Sequence, residues 1–404
     1  MTGIALWARL GRTRSSVLYR WQLVLIFIVL SASAHSCLAQ NEEEPKFEIN
    51  GYVKTLQSLF AFDVDGVEQS TFSDNLIHQR LNLQWYINDS WTFQSGIRTR
   101  LFFGEFTRLQ PNLGASLDEG GNDVINMTLI NTGDEVILHS IVDRAFLEYS
   151  KGNLEVRIGR QRVNWGINTI WNPNDLFNAY SFTDFDYEER PGSDALRVRY
   201  FLGYTGSVEF AIKAFDNSDE VIAAGLWKFN VGAYDIQLLS GWSNKDVVIG
   251  GGWAGNLGDV GFKGEWSWFN SSEEDTDNAF AATLSWDYVF SNGLFLVSGM
   301  LYNHLGINQD VSNIFSFNLS ARNLYPYKWS LLNQVSYPVS PLFTTGVAII
   351  YSPVSGHPMF VNPTMTYSLG QNIDADFVGQ FAVQLGESTF SDVRAFFLRL
   401  KWSF

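Results

Sequence analysis

Phe396–Phe404 reads FFLRLKWSF. Phe396, Leu398, Leu400, Trp402 and Phe404 fall on every second position, with Phe397, Arg399, Lys401 and Ser403 between them. A strand sends alternate side chains to opposite faces. One face is therefore wholly apolar and the other largely polar. The edge strand of a soluble sheet would show the same pattern, so the fold class turns on whether the pattern recurs.

It recurs throughout. Leu81, Leu83, Trp85 and Ile87 alternate with Arg80, Asn82, Gln84 and Tyr86. Val260, Phe262, Gly264, Trp266 and Trp268 alternate with Gly261, Lys263, Glu265 and Ser267. Leu284, Trp286, Tyr288 and Phe290 follow the same rule, as do Phe377, Phe381, Val383 and Leu385. A membrane-spanning strand needs ~9–11 residues with lipid-facing apolar and lumen-facing polar positions. From residue 47 onward about 18 such segments can be traced, an even count of the kind bacterial barrels have.

The connections carry a second regularity. Alternate ones are tight: Asn88-Asp89-Ser90, Lys151-Gly152-Asn153, Tyr204-Thr205-Gly206, Gly232-Ala233, Asn256-Leu257-Gly258, Ser291-Asn292-Gly293, Tyr337-Pro338-Val339 and Gly370-Gln371-Asn372. Those on the other side include the long segments 63–75, 107–141, 167–194, 270–278 and 307–323. Short turns on one side and long loops on the other distinguish the periplasmic and outer faces of a barrel. The expected fold is all-β: a transmembrane antiparallel β-barrel with an outer loop that folds inward or caps the mouth. Within 107–141, Ile125–Ile130 and Glu135–Ser140 flank Asn131-Thr132-Gly133-Asp134, which predicts a hairpin with arms too short to cross lipid.

Arg9, Arg12, Arg14 and Arg20 precede a short apolar run, Leu23–Leu30, and then small residues. This is the layout of a secretory signal peptide, which predicts a signal over 1–39, an acidic leader over 40–45 and a barrel over 46–404. The one cysteine, Cys37, falls inside the signal. With 27 basic and 42 acidic residues, the chain is a poor general nucleic-acid binder. Its acidic runs lack the spacing of a Ca²⁺ loop, and no metal or cofactor is expected.

Extending the alternation assigns charge to the lumen. Arg80, Arg98, Arg100, Arg144, Arg157, Arg160, Arg162, Arg197 and Arg199 are all expected to point inward, with Glu148 and Glu155 among them. Phase breaks at Gly159-Arg160, where a β-bulge would keep Arg160, Arg162 and Asn164 inside and turn Val163 and Trp165 outward. Arginine presents a donor fork suited to carboxylate, sulfate or phosphate, so the wall reads as an anion path. It reads equally as an internal salt network neutralised by Glu148, Glu155 and the acidic loops. Both readings stay open.

The loop after this strand runs Trp165 to Arg190. Asn172 as N-cap, Pro173 at the first helical position and Asp175 behind it predict a short helix. Its aromatics, Trp171 and Phe177 among them, are too many for a freely solvated loop. Folding inward would bury them and bring Asp184, Asp186 and Glu188 towards the arginines. The result would be a constriction or a plug; a lid packed on the outer rim is the alternative.

The terminal aromatic strand resembles the closing strand of bacterial outer-membrane barrels. Gly159-Arg160-Gln161 with Asn164-Trp165-Gly166, then Trp171-Asn172-Pro173-Asn174-Asp175-Leu176-Phe177, resembles the GRQ…WG segment of porin-like outer-membrane barrels, the alginate-export type and related barrels. The resemblance implies a Gram-negative outer-membrane location amid lipid and lipopolysaccharide. It also implies recognition by the barrel-assembly machinery through the strand ending in Phe404. In such exporters an arginine-rich lumen conducts an acidic polymer. The expected function is thus a porin-like channel for small or linear hydrophilic solutes, with anion preference. The alternative is a loop-sealed barrel acting as scaffold or assembly partner for surface proteins. An enzyme is disfavoured: neither G-x-S-x-G nor H-E-x-x-H occurs, and His78, His139, His304 and His357 sit in no catalytic motif.

Overall fold

Apolar-out, polar-in alternation leaves each strand unable to bury its edges alone, and closure of the sheet satisfies them. The computed structural model describes residues 46–63, 70–110, 112–117, 124–133, 135–178, 186, 192–217, 220–273, 276–308, 319–385 and 392–404. The expected signal and leader, and Asp184 and Glu188, lie outside these.

The strands are β1 (Phe47–Asp63), β2 (Ser70–Asn88), β3 (Trp91–Gly104), β4 (Thr128–Thr132), β5 (Val136–Lys151), β6 (Leu154–Gln161) and β7 (Ser193–Leu202). They continue as β8 (Gly206–Ala214), β9 (Val221–Val231), β10 (Tyr234–Ser243), β11 (Asp246–Leu257), β12 (Val260–Ser271) and β13 (Ala279–Val289). The rest are β14 (Phe295–Asn303), β15 (Trp329–Ser340), β16 (Phe343–Tyr351), β17 (Pro358–Gly370), β18 (Ile373–Gln384) and β19 (Asp392–Ser403). Two short helices, α1 (Glu105–Leu109) and α2 (Leu113–Ser116), follow β3.

β1 pairs with both β2 and β19, so the sheet closes. The result is an antiparallel barrel of 18 strands. The nineteenth, β4, is accessory. It pairs with the outer half of β5, Thr128 opposite Ile141 and Thr132 opposite Ile137, where the shorter β6 has already ended. The expected hairpin therefore exists, but one arm is part of a spanning strand. Ile49–Ser403 forms one unit. Of the remainder, Lys46–Glu48 is exposed at the start of β1.

β19 shows the expected alternation. Leu398 and Leu400 are exposed on the outer face, while Ala395 and Phe397 are buried on the inner one. Trp227, Trp268, Trp286 and Trp329 are likewise exposed, as lipid contact requires. One turn is displaced. Tyr337-Pro338-Val339 belongs to β15, which runs to Ser340 with a register shift between Pro338 and Ser340. That irregularity accommodates a proline without its N–H, and the turn follows at Pro341-Leu342.

The expected bulge is elsewhere. β6 pairs with β5 and β7 through Gly159 and Arg160 without a register shift. The shift lies in β5: Gly96 faces Arg144 and Ile97 faces Val142, leaving Asp143 extra. A bulge turns two consecutive residues to one side, so Asp143 joins Arg144 inside the barrel.

Candidate functional site: the lumen

After Gln161 the chain leaves the sheet and folds against the inner wall. Val163, Trp165, Leu176 and Phe177 are buried in one cluster with Ala211, Ile222, Leu226, Leu239, Val248 and Phe269, the inward residues of β8 to β12. Val163 and Trp165 thus point inside the barrel and not outward, because strand alternation ends where the strand ends. Trp171 packs in a second inner cluster with Tyr325, 5.7 Å between ring centroids. Tyr325 and Tyr327 belong to a second inserted segment, between β14 and β15.

Polar groups fix the first segment. Glu265 of β12 accepts from the backbone N–H of Ile167, Asn168 and Asn174. Ser267 donates to the Pro173 carbonyl at 2.9 Å, and Asn174 Nδ2 to the Gly251 carbonyl at 3.0 Å. Gly250 and Gly252 leave the space: a Cβ on them would meet Asn174 Oδ1 at 2.8 Å and Ile167 Cδ1 at 3.0 Å. The expected helix at Asn172 is a turn, closed by Asp175 N–H donating to the Asn172 carbonyl at 3.1 Å. The Pro173 carbonyl and the Asn174 N–H that a helix would use are committed to the wall.

Of the expected constriction residues, Trp171, Asn172, Asp175 and Phe177 are buried in this segment. Asp186 lies on the other side of the lumen. Its Oδ1 is 2.8 Å from Lys54 Nζ in β1 and 3.4 Å from Arg399 in β19; its Oδ2 is 3.3 Å from His78 Nδ1 in β2. β12, which holds Asn168 and Asn174, stands half-way round the barrel from β1. One connection is therefore anchored on opposite walls. Asp186 lies outside the strands. Burial pushes its carboxyl up, but the His78 hydrogen bond and the Lys54 charge hold it at about 2.

The arginines divide into sets. Arg80 makes a two-pronged pair with Asp143 at 2.6 and 3.1 Å, with Arg98 3.9 Å from the same carboxylate. Gly96 makes room for this pair, its missing Cβ lying 2.9 Å from Arg80 Nη2. Arg197 and Arg199 share Glu209, which also accepts from Trp165 Nε1 at 2.6 Å. Arg157 binds Glu148 at 2.7 Å and Glu155 at 3.3 Å. Arg100 meets His139 Nδ1 at 3.3 Å.

Arg160 holds Asp194 at 2.8 Å and donates to the carbonyls of Val142 and Ile125. It fills the seam where β4 replaces β6 beside β5. Arg162 is half-buried, donating to Asn164 Oδ1 at 3.2 Å, while its Nε is buried without a hydrogen-bond partner among the described residues. Arg144 donates to the Asp143 carbonyl at 2.8 Å.

Arg80, Arg144, Arg157 and Arg162 line a cavity of about 300 Å³ with Asn82, Gln84, Gln94 and Phe146 among its other walls. No acid is among the described lining residues. Gln84 and Gln94 face each other a few residues from the turn at Asp89-Ser90, so the cavity lies towards the short-turn end of the strands. Asp143, Asp194, Glu209, Lys54 and Arg399 were not among the sequence candidates. Glu209 was within reach of alternation, since Val208 and Phe210 beside it are exposed. Asp143 was not, because the bulge reverses the phase.

No known family model matches the chain, and no curated protein matches it in sequence. Solved structures do. OccAB4 of Acinetobacter baumannii is similar with a TM-score of 0.58 at 8% identity, over 88% of this chain and 98% of that one. OpdQ of Pseudomonas aeruginosa gives 0.57 at 9%, over 89% and 97%. OccK7 (OpdD) of the same organism gives 0.55 at 10%, over 88% and 99%. These are Occ/Opd outer-membrane porins with an 18-stranded barrel. At such identities the likeness establishes the fold. It supports the porin-like part of the resemblance carried by Gly159–Gln161 and Trp165, and gives no support to the alginate-export type.

Proposed function

We propose that this protein is an outer-membrane channel that passes small hydrophilic solutes with a preference for anions. The cavity of about 300 Å³ beside Arg144 and Arg162, with no acid among its described lining residues, carries this reading. An apolar insert covers one inner wall, and the polar path is left to the arginine side. A row of cationic side chains along a confined path sets anion preference in pores. The similar structures belong to porins, which supports a conducting rather than a catalytic role. Arginines such as Arg80 and Arg197 hold the wall through Asp143 and Glu209, while Arg162 meets the solute.

Planar bilayers test this. Purified, heat-modifiable protein should give stepwise currents whose reversal potential in a KCl gradient favours chloride. Folded protein that inserts without current would overturn the channel and leave the sealed scaffold.

A further inference from the structure

The outward row of β15 reads Trp329, Leu331, Asn333, Val335 and Tyr337. Leu332, in between, turns inward and is 2% exposed. Trp329 and Tyr337 are exposed, and such aromatics mark the two edges of a barrel's hydrocarbon band. Asn333 stands midway between them and is exposed. A carboxamide therefore lies at the centre of the lipid-facing surface, where lipid offers neither donor nor acceptor.

The wall answers only part of this amide. Ser298 of β14, paired directly opposite, donates to Asn333 Oδ1 at 2.8 Å. Ser298 is itself 8% exposed, so the amide is fixed from within the wall. An asparagine amide has two N–H donors and an oxygen with two lone pairs. Among the described residues nothing accepts from Nδ2, and the second lone pair of Oδ1 is left over. Trp286 and Ile349, the apolar neighbours of Ser298 and Asn333 in β13 and β16, close the row on either side.

Other polar groups on this outer surface are answered locally. Thr99 and Ser140 bond each other at 3.0 Å, and Asn75 donates to the Phe103 carbonyl at 3.3 Å. Gln57 of β1 is a second exposed carboxamide, five strands from β15. It is longer and has no anchor of the kind that Ser298 gives Asn333.

We propose that the outer face of β14 and β15 is a contact between two copies of this chain, related by a two-fold axis beside Asn333. A carboxamide holds donor and acceptor in one group, so it is complementary to a copy of itself rotated by half a turn. Each Asn333 donates from Nδ2 to Oδ1 of the partner's Asn333, and the two reciprocal bonds make the contact isologous. Polar side chains join membrane segments in this way because the alternative is an unpaired group in hydrocarbon. Soluble proteins at either face cannot reach the middle of the band.

Barrel geometry places the axis. Strands tilt by ~35–45° in one sense, so the facing β15 strands of two parallel barrels cross and come closest at one point. At the centre of the band that point is Asn333, with exposed Leu331 and Trp329 beside it.

The test has two readings. Energy transfer between donor- and acceptor-labelled chains in phosphatidylcholine liposomes, titrated by lipid dilution, gives the dimer dissociation constant. Asn333→Leu should weaken the dimer ~10-fold, the size of two modest hydrogen bonds across a membrane contact, while Gln57→Leu leaves it unchanged. Heat-modifiability should persist in Asn333→Leu, because leucine suits a lipid-facing position. In the second reading Cys37, the one native cysteine, is replaced by serine. Oxidation in the membrane should then link Asn333→Cys into a covalent dimer and leave Gln57→Cys monomeric.

A wild type that stays monomeric at every lipid ratio would overturn the proposal and leave this face to lipid or to a different protein. So would a dimer that Asn333→Leu does not weaken, or one that Gln57→Leu weakens as much. Equal cross-linking at both positions, or none from folded Asn333→Cys, would overturn it as well.

Discussion

Trp165 and Glu209, 44 residues apart, are joined by a 2.6 Å hydrogen bond in which the indole N–H donates to the carboxylate. The same carboxylate accepts from Arg197 at 2.8 and 2.9 Å and from Arg199 at 2.7 Å. One acid thus ties the inserted segment to the arginine wall, and it is itself 2% exposed. Glu209→Ala strands two guanidinium groups and an indole N–H. The expected cost is ~3–5 kcal/mol, as for other broken buried pairs. It should appear as a lower temperature for the loss of heat-modifiable mobility, with new protease cleavage between Gln161 and Asn178. An unshifted transition would show that Glu209 is no hub.

Arg162 and Arg80 should separate conduction from stability. Arg162→Ser removes a half-buried side chain with no acid partner among the described ion pairs, so stability should change by only ~0–1 kcal/mol. Its reversal potential should move towards cations. Arg80→Ser leaves Asp143 buried at 1% exposure, at a cost of ~3–5 kcal/mol. Equal melting losses with unmoved selectivity in both variants would leave a purely structural network.

Glu265→Ala withdraws the acceptor for three backbone N–H groups of the insert. The insert should loosen from the wall, and single-channel current should become noisier and change in mean size. Currents identical to the wild type would mean that the apolar contacts of Trp165 and Phe177 hold the insert alone.

Gly159 takes a φ of +118°, and a Cβ there would lie 2.3 Å from the Ala145 carbonyl oxygen. Gly159→Ala should cost at least ~1–3 kcal/mol of backbone strain and lower the yield of folded barrel. Full yield and an unshifted melting transition would contradict the close approach.

Strand number, closure and the lipid-facing residues of β19 could be read from the sequence because alternation is local and lipid punishes its violation. The insert was legible only as an excess of aromatics around Trp171 and Phe177. A sharper signal was available in β9, where Ile222, Ala224 and Leu226 are apolar on the inward face too; a strand apolar on both faces is covered on both. The partners of the arginines were largely hidden. Asp143 depends on a bulge that no local pattern marks, and Asp194 on the seam between β4 and β6. Asp186 was named for its charge, but its partners Lys54 and Arg399 come from strands at opposite ends of the chain.

Gly250 and Gly252 set the depth of the recess in which Asn174 and Ile167 rest. The aperture of the proposed channel would accordingly be written in the wall and not in the insert. A larger residue at either glycine would lift the insert towards the arginines and narrow the proposed path, while every loop residue stayed the same. Calibre and chemistry could then diverge independently, with β11 setting the width of the proposed passage and β2 to β7 the charge it favours.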